Sequence, residues 1–337
     1  MAQGNALTRF GNNLYTGQTS VPFVGLRRVW LGIAVVLMLL AIAVPFIRGG
    51  GNPAAGFNFG IEFRGGAQFQ ISAAESTDAT LAEEAVAQVV PGAEVRATRV
   101  GEDGMRVQTE QLTDTESLDV VAALEEAYGS DQITYSFVGP TWGADITRQA
   151  LLGLGVFVGL ALLIMAIYFR TWKMSLAAIL GLAHVLVITI GVYAATGLEI
   201  SPAAVIGFLT ILGFSLYDTV VVFDKIRENT SALSDDSTRT FAETVNLAAN
   251  QTLVRSINTA VVASLPVAAI LFIGVGLLGA DTLRDISLAL LVGTVIGAYT
   301  TPFVAAPLYA WFRVGEPEIA RRDKRVLEAR EKAGAVA

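Results

Sequence analysis

The chain contains no cysteine and one histidine in 337 residues. That excludes a disulfide framework, a thiolate metal site and a cysteine nucleophile, and leaves no ligand set for zinc. Charge is also scarce, at 16% of residues. A basic surface of the kind that binds nucleic acid is missing, because the formal net charge is −7. No GxxxxGK[ST] loop cradles a nucleotide, and no HExxH or GxSxG set points to hydrolysis. The chain therefore lacks the marks of an enzyme, a metalloprotein or a nucleic-acid binder.

What it has is apolar length. Hydrophobic residues make up 53% of the sequence. Six runs approach the length that crosses a bilayer: 29–47, 150–169, 174–196, 203–223, 257–278 and 286–312. The first is too long for a signal-peptide core and has no clear cleavage site, so it is read as a retained anchor. Basic residues cluster at alternate ends of the runs: Arg9, Arg27 and Arg28; Arg170 and Lys173; Lys225, Arg227 and Arg239; Arg313, Arg321, Arg322, Lys324 and Arg325. The opposite connections, 197–201 and 279–283, carry none. By the positive-inside rule both termini are cytoplasmic and segment 48–148 lies outside. The expected layout is a cytoplasmic stretch 1–28, span one at 29–47, an outer domain at 48–148, spans two to six within 149–312 with a cytoplasmic loop 224–252, and a cytoplasmic tail 313–337.

The outer segment holds most of the acid. It opens with a glycine-rich stretch, 49–66. A strand pattern follows at 67–72, a helix at 79–90, and strands at 93–99 and 104–109 around the turn "VGEDG". A helix at 115–128 and a strand at 132–138 complete it. This β-α-β-β-α-β order is the ferredoxin-like arrangement. The whole is a polytopic α-helical membrane protein with six spans and one extracytoplasmic α+β ferredoxin-like domain.

The stretch "GFSLYDTVVVFDKIREN" (213–229) places Asp218 inside the fourth run. Seven residues separate it from Lys225, about 10 Å along a helix. A short aspartate does not snorkel that far, so it must be protonated, paired or facing water. Ser215 shares its helix face. In the fifth run Gln251, Thr252, Arg255, Asn258 and Thr259 recur at helical spacing as one polar stripe, expected to face protein or water. Arg255 is then either a cation paired with Asp218 in the interior or an anchor at the headgroups. Asp236 or Ser237 is a candidate cap for a short helix starting near Thr238, in the connection before the fifth run. Pro266 is expected to kink the fifth helix. His184 either relays protons or donates a hydrogen bond to a neighbouring helix. Gly155 and Gly159, and Gly293 and Gly297, fit close helix packing.

These blocks resemble the SecF subunits of the SecD/SecF family, within the resistance-nodulation-division superfamily. "FNFGIEFRGG" (57–66), "GFSLYDTVVVFDKIREN", "QTLVRSINTA" (251–260) and "GTVIGAYTTPFVAAPLY" (293–309) look like four family blocks in order. The resemblance implies an accessory subunit of protein export at the bacterial cell membrane. It would pair with SecD, assist the SecYEG channel, with SecA and YajC as further partners, and draw unfolded exported polypeptide outward using the proton-motive force. Protons are the coupling ion, with no cofactor, and membrane lipid surrounds the spans. The family's relay aspartate falls on Asp218 and its relay arginine on Arg255, and SecD supplies an opposing carboxylate. Ser215, Thr219, Thr252, Asn258 and Thr259 form the supporting polar face. Gly60, Glu62, Gly65 and Gly66 form the motif of the outer segment. Glu62 stands where aspartate is usual, and Tyr217 where asparagine is common. Two other readings compete: a small-molecule or lipid exporter of the superfamily, which generally carries twelve helices in one chain, and a structural subunit that moves no protons.

Overall fold

The computed structural model describes residues 6–101, 103–169, 171–231, 238–275 and 283–334. Six segments are long and apolar enough to span a membrane: Arg27–Arg48, Thr141–Phe169, Trp172–Thr196, Pro202–Ser231, Phe241–Gly274 and Arg284–Val314. The chain is a multi-pass membrane protein. The helices are α1 (Ala6–Thr16), α2 (Arg27–Arg48), α3 (Ile61–Arg64), α4 (Ala79–Val89), α5 (Asp114–Tyr128), α6 (Pro140–Phe169), α7 (Trp172–Thr196), α8 (Pro202–Ser231), α9 (Phe241–Ala269), α10 (Arg284–Thr300), α11 (Ala306–Val314) and α12 (Pro317–Gly334). The strands are β1 (Asn58–Phe59), β2 (Gly66–Ile71), β3 (Val95–Val100), β4 (Gly104–Thr109), β5 (Ile133–Val138) and β6 (Glu199–Ile200). Arg170, the cap candidates Asp236 and Ser237, and Glu102 of the expected hairpin turn lie outside the described residues. The short helix expected near Thr238 begins at Phe241 and runs on without a break into the fifth span. Thr240 caps it, exchanging hydrogen bonds with Glu243 in a capping box.

Between the first two spans lies a four-stranded antiparallel sheet of order β3-β4-β2-β5, with α4 and α5 packed on one face. Alternation decides the faces. Ala67, Phe69 and Ile71 of β2 and Met105 and Val107 of β4 point to Ala82, Val86, Val120, Leu124 and Tyr128 of the helices. Gln68, Arg106 and Gln108 point the other way, towards the ends of the spans. Thr113 and Glu116 form a capping box at the start of α5, and Gly129 ends it in the left-handed conformation at φ 64°.

One small ladder ties this domain to the spans. β1 runs parallel to β6, pairing Asn58 with Glu199 and Phe59 with Ile200. Gly60 N–H donates to the Ile200 carbonyl at 3.0 Å, and Arg48 donates to the Ala194 carbonyl. At the far end of the spans, Asn246 and Asn250 of α9 hold the Val21 carbonyl and receive the Val24 and Val21 N–H groups. Asp323 of α12 accepts from Phe241 N–H.

The closest helix contact joins α8 and α10, which run in the same direction. Its rungs advance by four residues on each helix: Gly207 on Ala289, Ile211 on Gly293, Ser215 on Gly297, Thr219 on Thr301. A Cβ on Gly293 would sit 2.4 Å from Ile211, and one on Gly297 2.6 Å from the Ser215 hydroxyl. The second close crossing is α2 on α7, where a Cβ on Gly191 would meet Ala41 at 2.4 Å. Gly155 and Gly159 differ from expectation. Among the described residues no other part of the chain lies within 4 Å of either Cβ position, so their face of α6 has no packing partner among them.

The two kinds of glycine separate by substitution. Gly191→Ala and Gly293→Ala should each lower stability by about 1–3 kcal/mol through overpacking. Gly155→Ala should be neutral or stabilising, by no more than about 1 kcal/mol, because alanine favours helix. Thermal unfolding of the purified chain in one detergent measures all three.

Candidate functional site: a buried carboxylate between three spans

Asp218 lies on the buried face of α8 and is 6% exposed. That face runs Ile211, Ser215, Asp218, Thr219, Val222, the three- and four-residue spacing of one helix side. Ser256 of α9 donates its hydroxyl to Asp218 Oδ1 at 2.7 Å. Oδ2 is buried and has no hydrogen-bond partner among the described residues. Thr301 lies alongside, its hydroxyl 3.3 Å from that of Thr219. A carboxylate with one bonded and one open oxygen, out of contact with lipid, is costly unless a proton or a cation completes it.

The sixth span changes winding at this level. α10 ends at Thr300, and Thr301–Ala305 form a π-helical turn before α11. Pro302 has no N–H to continue the regular pattern. Such turns widen the helix locally and recur at functional sites. A second π turn, Ile270–Val275, follows Pro266 in the fifth span, and Ile270 N–H there reaches the Pro266 and Val267 carbonyls.

The expected partner is elsewhere. Arg255 is exposed on the outer side of α9 and donates to the Tyr217 hydroxyl at 3.3 Å. Among the described residues no ion pair within 4.0 Å joins it to Asp218. The reason is helical phase. Ala248, Ala249, Thr252 and Ser256 form the buried face of α9; Arg255 falls at its edge, about 100° round from Ser256, and Asn258 further out. The polar residues read as one stripe thus divide between two faces. Thr252 is buried and bonds the Ala248 carbonyl, Thr259 is half-buried and bonds the Arg255 carbonyl, and Asn258 is exposed. Gln251 receives a hydrogen bond from Asn229 of α8 and donates to the Tyr15 carbonyl of α1. Ser215 and Thr219 stand beside Asp218, and Thr219 bonds the Ser215 carbonyl at 2.8 Å. Ser256 is the residue that the sequence reading missed. Its spacing from Thr252 was visible, but the arginine next to it drew the stripe onto the wrong face.

His184 is buried in α7 with neither ring nitrogen bonded, 6.1 Å from the Tyr299 ring. The hydrogen bond to a neighbouring helix offered as one of its two readings is not formed among the described residues.

The glycine motif builds a second polar locus, where the α+β domain meets the spans. Gly60 precedes the single turn α3, which carries Glu62. Gly65 and Gly66 both have positive φ, 79° and 139°, and turn the chain into β2. A Cβ on Gly66 would sit 2.3 Å from the Thr109 carbonyl, so only glycine lets β2 start against β4. Glu199 accepts from Gln108 at 2.7 Å and pairs with Arg106 at 3.5 Å. Behind it Asp285 of α10 accepts from Ser201 at 2.6 Å and, through its carbonyl, from Tyr193 at 2.8 Å.

Six spans, a ferredoxin-like insertion after the first and a carboxylate buried between the fourth, fifth and sixth define a class of membrane transport protein. Comparison with known proteins gives the family. Residues 119–315 match the family "Protein export membrane protein SecD/SecF, C-terminal", and 53–76 match the "SecD/SecF GG Motif". The chain is 42% identical to the protein translocase subunit SecF of Streptomyces coelicolor, over 96% of this chain and 85% of that one. It is 38% identical to SecF of Mycobacterium tuberculosis, over 95% and 73%. The crystal structure of SecDF from Thermus thermophilus, described as a translocon-associated membrane protein, superposes with a TM-score of 0.76 at 32% identity. That match covers 88% of this chain and 39% of the SecDF chain. The chain belongs to the SecD/SecF family of protein-export membrane proteins.

Removing the Ser256 hydroxyl should leave Asp218 Oδ1 without the hydrogen bond from α9. Ser256→Ala is expected to cost about 1–3 kcal/mol, and Ser256→Thr to restore most of it. Unfolding of the solubilised chain across the three proteins tests the bond.

Proposed function

We propose that the chain is a proton-coupled subunit of protein export that works as one half of a SecD–SecF pair. The observation that carries this reading is Asp218, buried in mid-span with Oδ1 held by Ser256 and Oδ2 open. That oxygen is where a proton binds and leaves. A purely structural carboxylate would have both oxygens satisfied.

The exposed side of α8 and α9 supports a partner. Arg255, Tyr217 and Asn258 form a polar patch on the outer side of two spans. Facing lipid, that patch is expensive; facing another chain's carboxylate, it completes a relay. The relatives named SecDF carry more chain than this one, which spans 38% of the Thermus thermophilus SecDF sequence. SecD is the partner proposed for that patch. Asp218 and Arg255 then stand on either side of α9's inner edge, and protons pass between the subunits.

The coupling runs along α8 and α10. Their ladder makes them one stiff pair, with Asp218 near one end and Asp285, Ser201 and Glu199 at the other. Protonation changes the contacts of Asp218 with α9 and α10, and the pair carries the change to Gln108 and Arg106 of the α+β domain. One charge crossing about 100 mV supplies about 2.3 kcal/mol, enough to shift a two-state equilibrium by more than tenfold. The domain lies on the outer side of the membrane and both termini on the cytoplasmic side. There the moving domain meets polypeptide leaving the SecYEG channel, with SecA and YajC as further members of the assembly. The chain itself catalyses no covalent chemistry.

Vesicles holding the channel, SecD and either the wild-type or the Asp218→Asn chain test this. The mutant should assemble with SecD yet lose the gradient-dependent part of export. Export equal to wild type under a gradient would remove Asp218 from the proton path. Arg255→Lys keeps the charge but not the planar fork, and should retain part of the gradient-dependent export while Arg255→Ala retains none.

A further inference from the structure

We propose that Glu62 and Glu199 together bind one proton, forming a second protonation site at the junction of the α+β domain with the spans. The two side chains come from opposite sides of the junction, Glu62 from the turn leading into β2 and Glu199 from the connection between the third and fourth spans. The β1–β6 ladder holds those segments together. Gly60 lies between the carboxylates. A Cβ there would sit 2.4 Å from Glu62 Oε2 and 2.9 Å from Glu199 Oε1. The missing side chain leaves a gap that both oxygens line.

The two acids are unequally provided for. Glu199 has Gln108 on Oε1 and Arg106 beside Oε2. Glu62 Oε2 is buried with no hydrogen-bond partner among the described residues. One cation thus faces two carboxylates, and Asp285 adds a third acid already engaged by Ser201. Among the described residues no second ion pair within 4.0 Å reaches either carboxylate, and Arg48 of α2, at the Gly197 end of the same connection, donates to the Ala194 carbonyl. β1 and β2 carry no charged residue, Asp145 and Arg148 of α6 are exposed, and Arg64 of α3 is exposed and donates to the Phe57 carbonyl. Two carboxylates in one such site do not both ionise readily. The proton belongs on Glu62 Oε2, where it points across the Gly60 gap to Glu199. Among the described residues no group of three acids or histidines is placed to hold a metal ion instead.

The electrostatics agree with the geometry. Burial is the largest influence on the Glu62 carboxyl and raises it above the usual range. The hydrogen bond from its own backbone N–H opposes this, Glu199 and Asp285 add to the rise, and Arg106 lowers it. The folded junction therefore keeps a proton to higher pH than an unfolded glutamate does. The closed junction is favoured on the acid side, and that support is lost as pH rises through the folded value. Above it, two charges repel across Gly60 and the two-residue β1–β6 ladder is left to hold alone. An outward-facing junction would then respond to the acidity of its own side of the membrane, separately from Asp218.

Infrared difference spectra of the full chain in lipid nanodiscs, recorded against pH, test this. The Asp218→Asn chain serves as background, so that the mid-span carboxyl gives no signal and export plays no part. A protonated-carboxyl band should disappear as pH rises, and should be absent once Glu62→Gln is added. Glu199→Gln should keep the band but move its midpoint to lower pH. Amide exchange at Gly60, whose N–H bonds Ile200, gives a second readout. Its protection factor should fall above the midpoint in the background chain and stay high throughout in the Glu62→Gln chain. A band that survives Glu62→Gln, or a midpoint unmoved by Glu199→Gln, overturns the proposal. Glu199→Gln alone still decides it if the Glu62 variant does not fold.

Discussion

The structure depends on one helix contact. α8 and α10 lie together over four rungs because Gly207, Gly293 and Gly297 have no side chain to hold them apart. Without an apolar driving force between helices in lipid, such close fit is what joins them. The last rung is polar, Thr219 against Thr301, and it falls one residue after Asp218. The same contact that builds the bundle therefore encloses the carboxylate. Bringing α10 so near also sets its first turn against β6, where Asp285 accepts from Ser201. Mid-span chemistry and the domain junction are two ends of a single packed pair.

The spans and the domain could be read from the sequence because each has a strong period. Strands at 67–72, 104–109 and 132–138 alternate, and the structure has β2, β4 and β5 within a residue of them. Asp218 stood out because a carboxylate inside an apolar run has few explanations. Its surroundings were harder. Whether Arg255 or Ser256 faces α8 is a rotation of about 100° along one helix, and both are polar. Charge suggested Arg255; packing selects Ser256, since Ala248, Ala249 and Thr252 carry the small residues that approach α8 and its neighbours. Gly155 and Gly159 show the same limit. A small-xxx-small spacing says that a face can pack closely, not that this chain supplies the other side.

The junction was the least legible part. Glu199 lies in a short connection with no pattern of its own, and its partners Arg106 and Gln108 are more than ninety residues earlier. Only the alternation of β4 hints at it, by turning Gln108 away from the domain core. Gly60 is similar. Its role appears once Glu62 and Glu199 are seen on either side of it, because the reason for a glycine there is the space two other side chains occupy.

One connection has mechanical weight. β5 ends at Val138 and α6 begins at Pro140, so a single glycine separates the edge strand from the second span. There is no slack between them. Leu151, Leu152, Val156, Leu163, Ile164 and Ile167 leave most of α6 facing outward. A sheet that turns must crank this helix with it. Its close contacts lie at its two ends, on the Phe63 backbone at Gly143 and in the core at Met165 and Phe169, so any turn of the sheet would be resisted there.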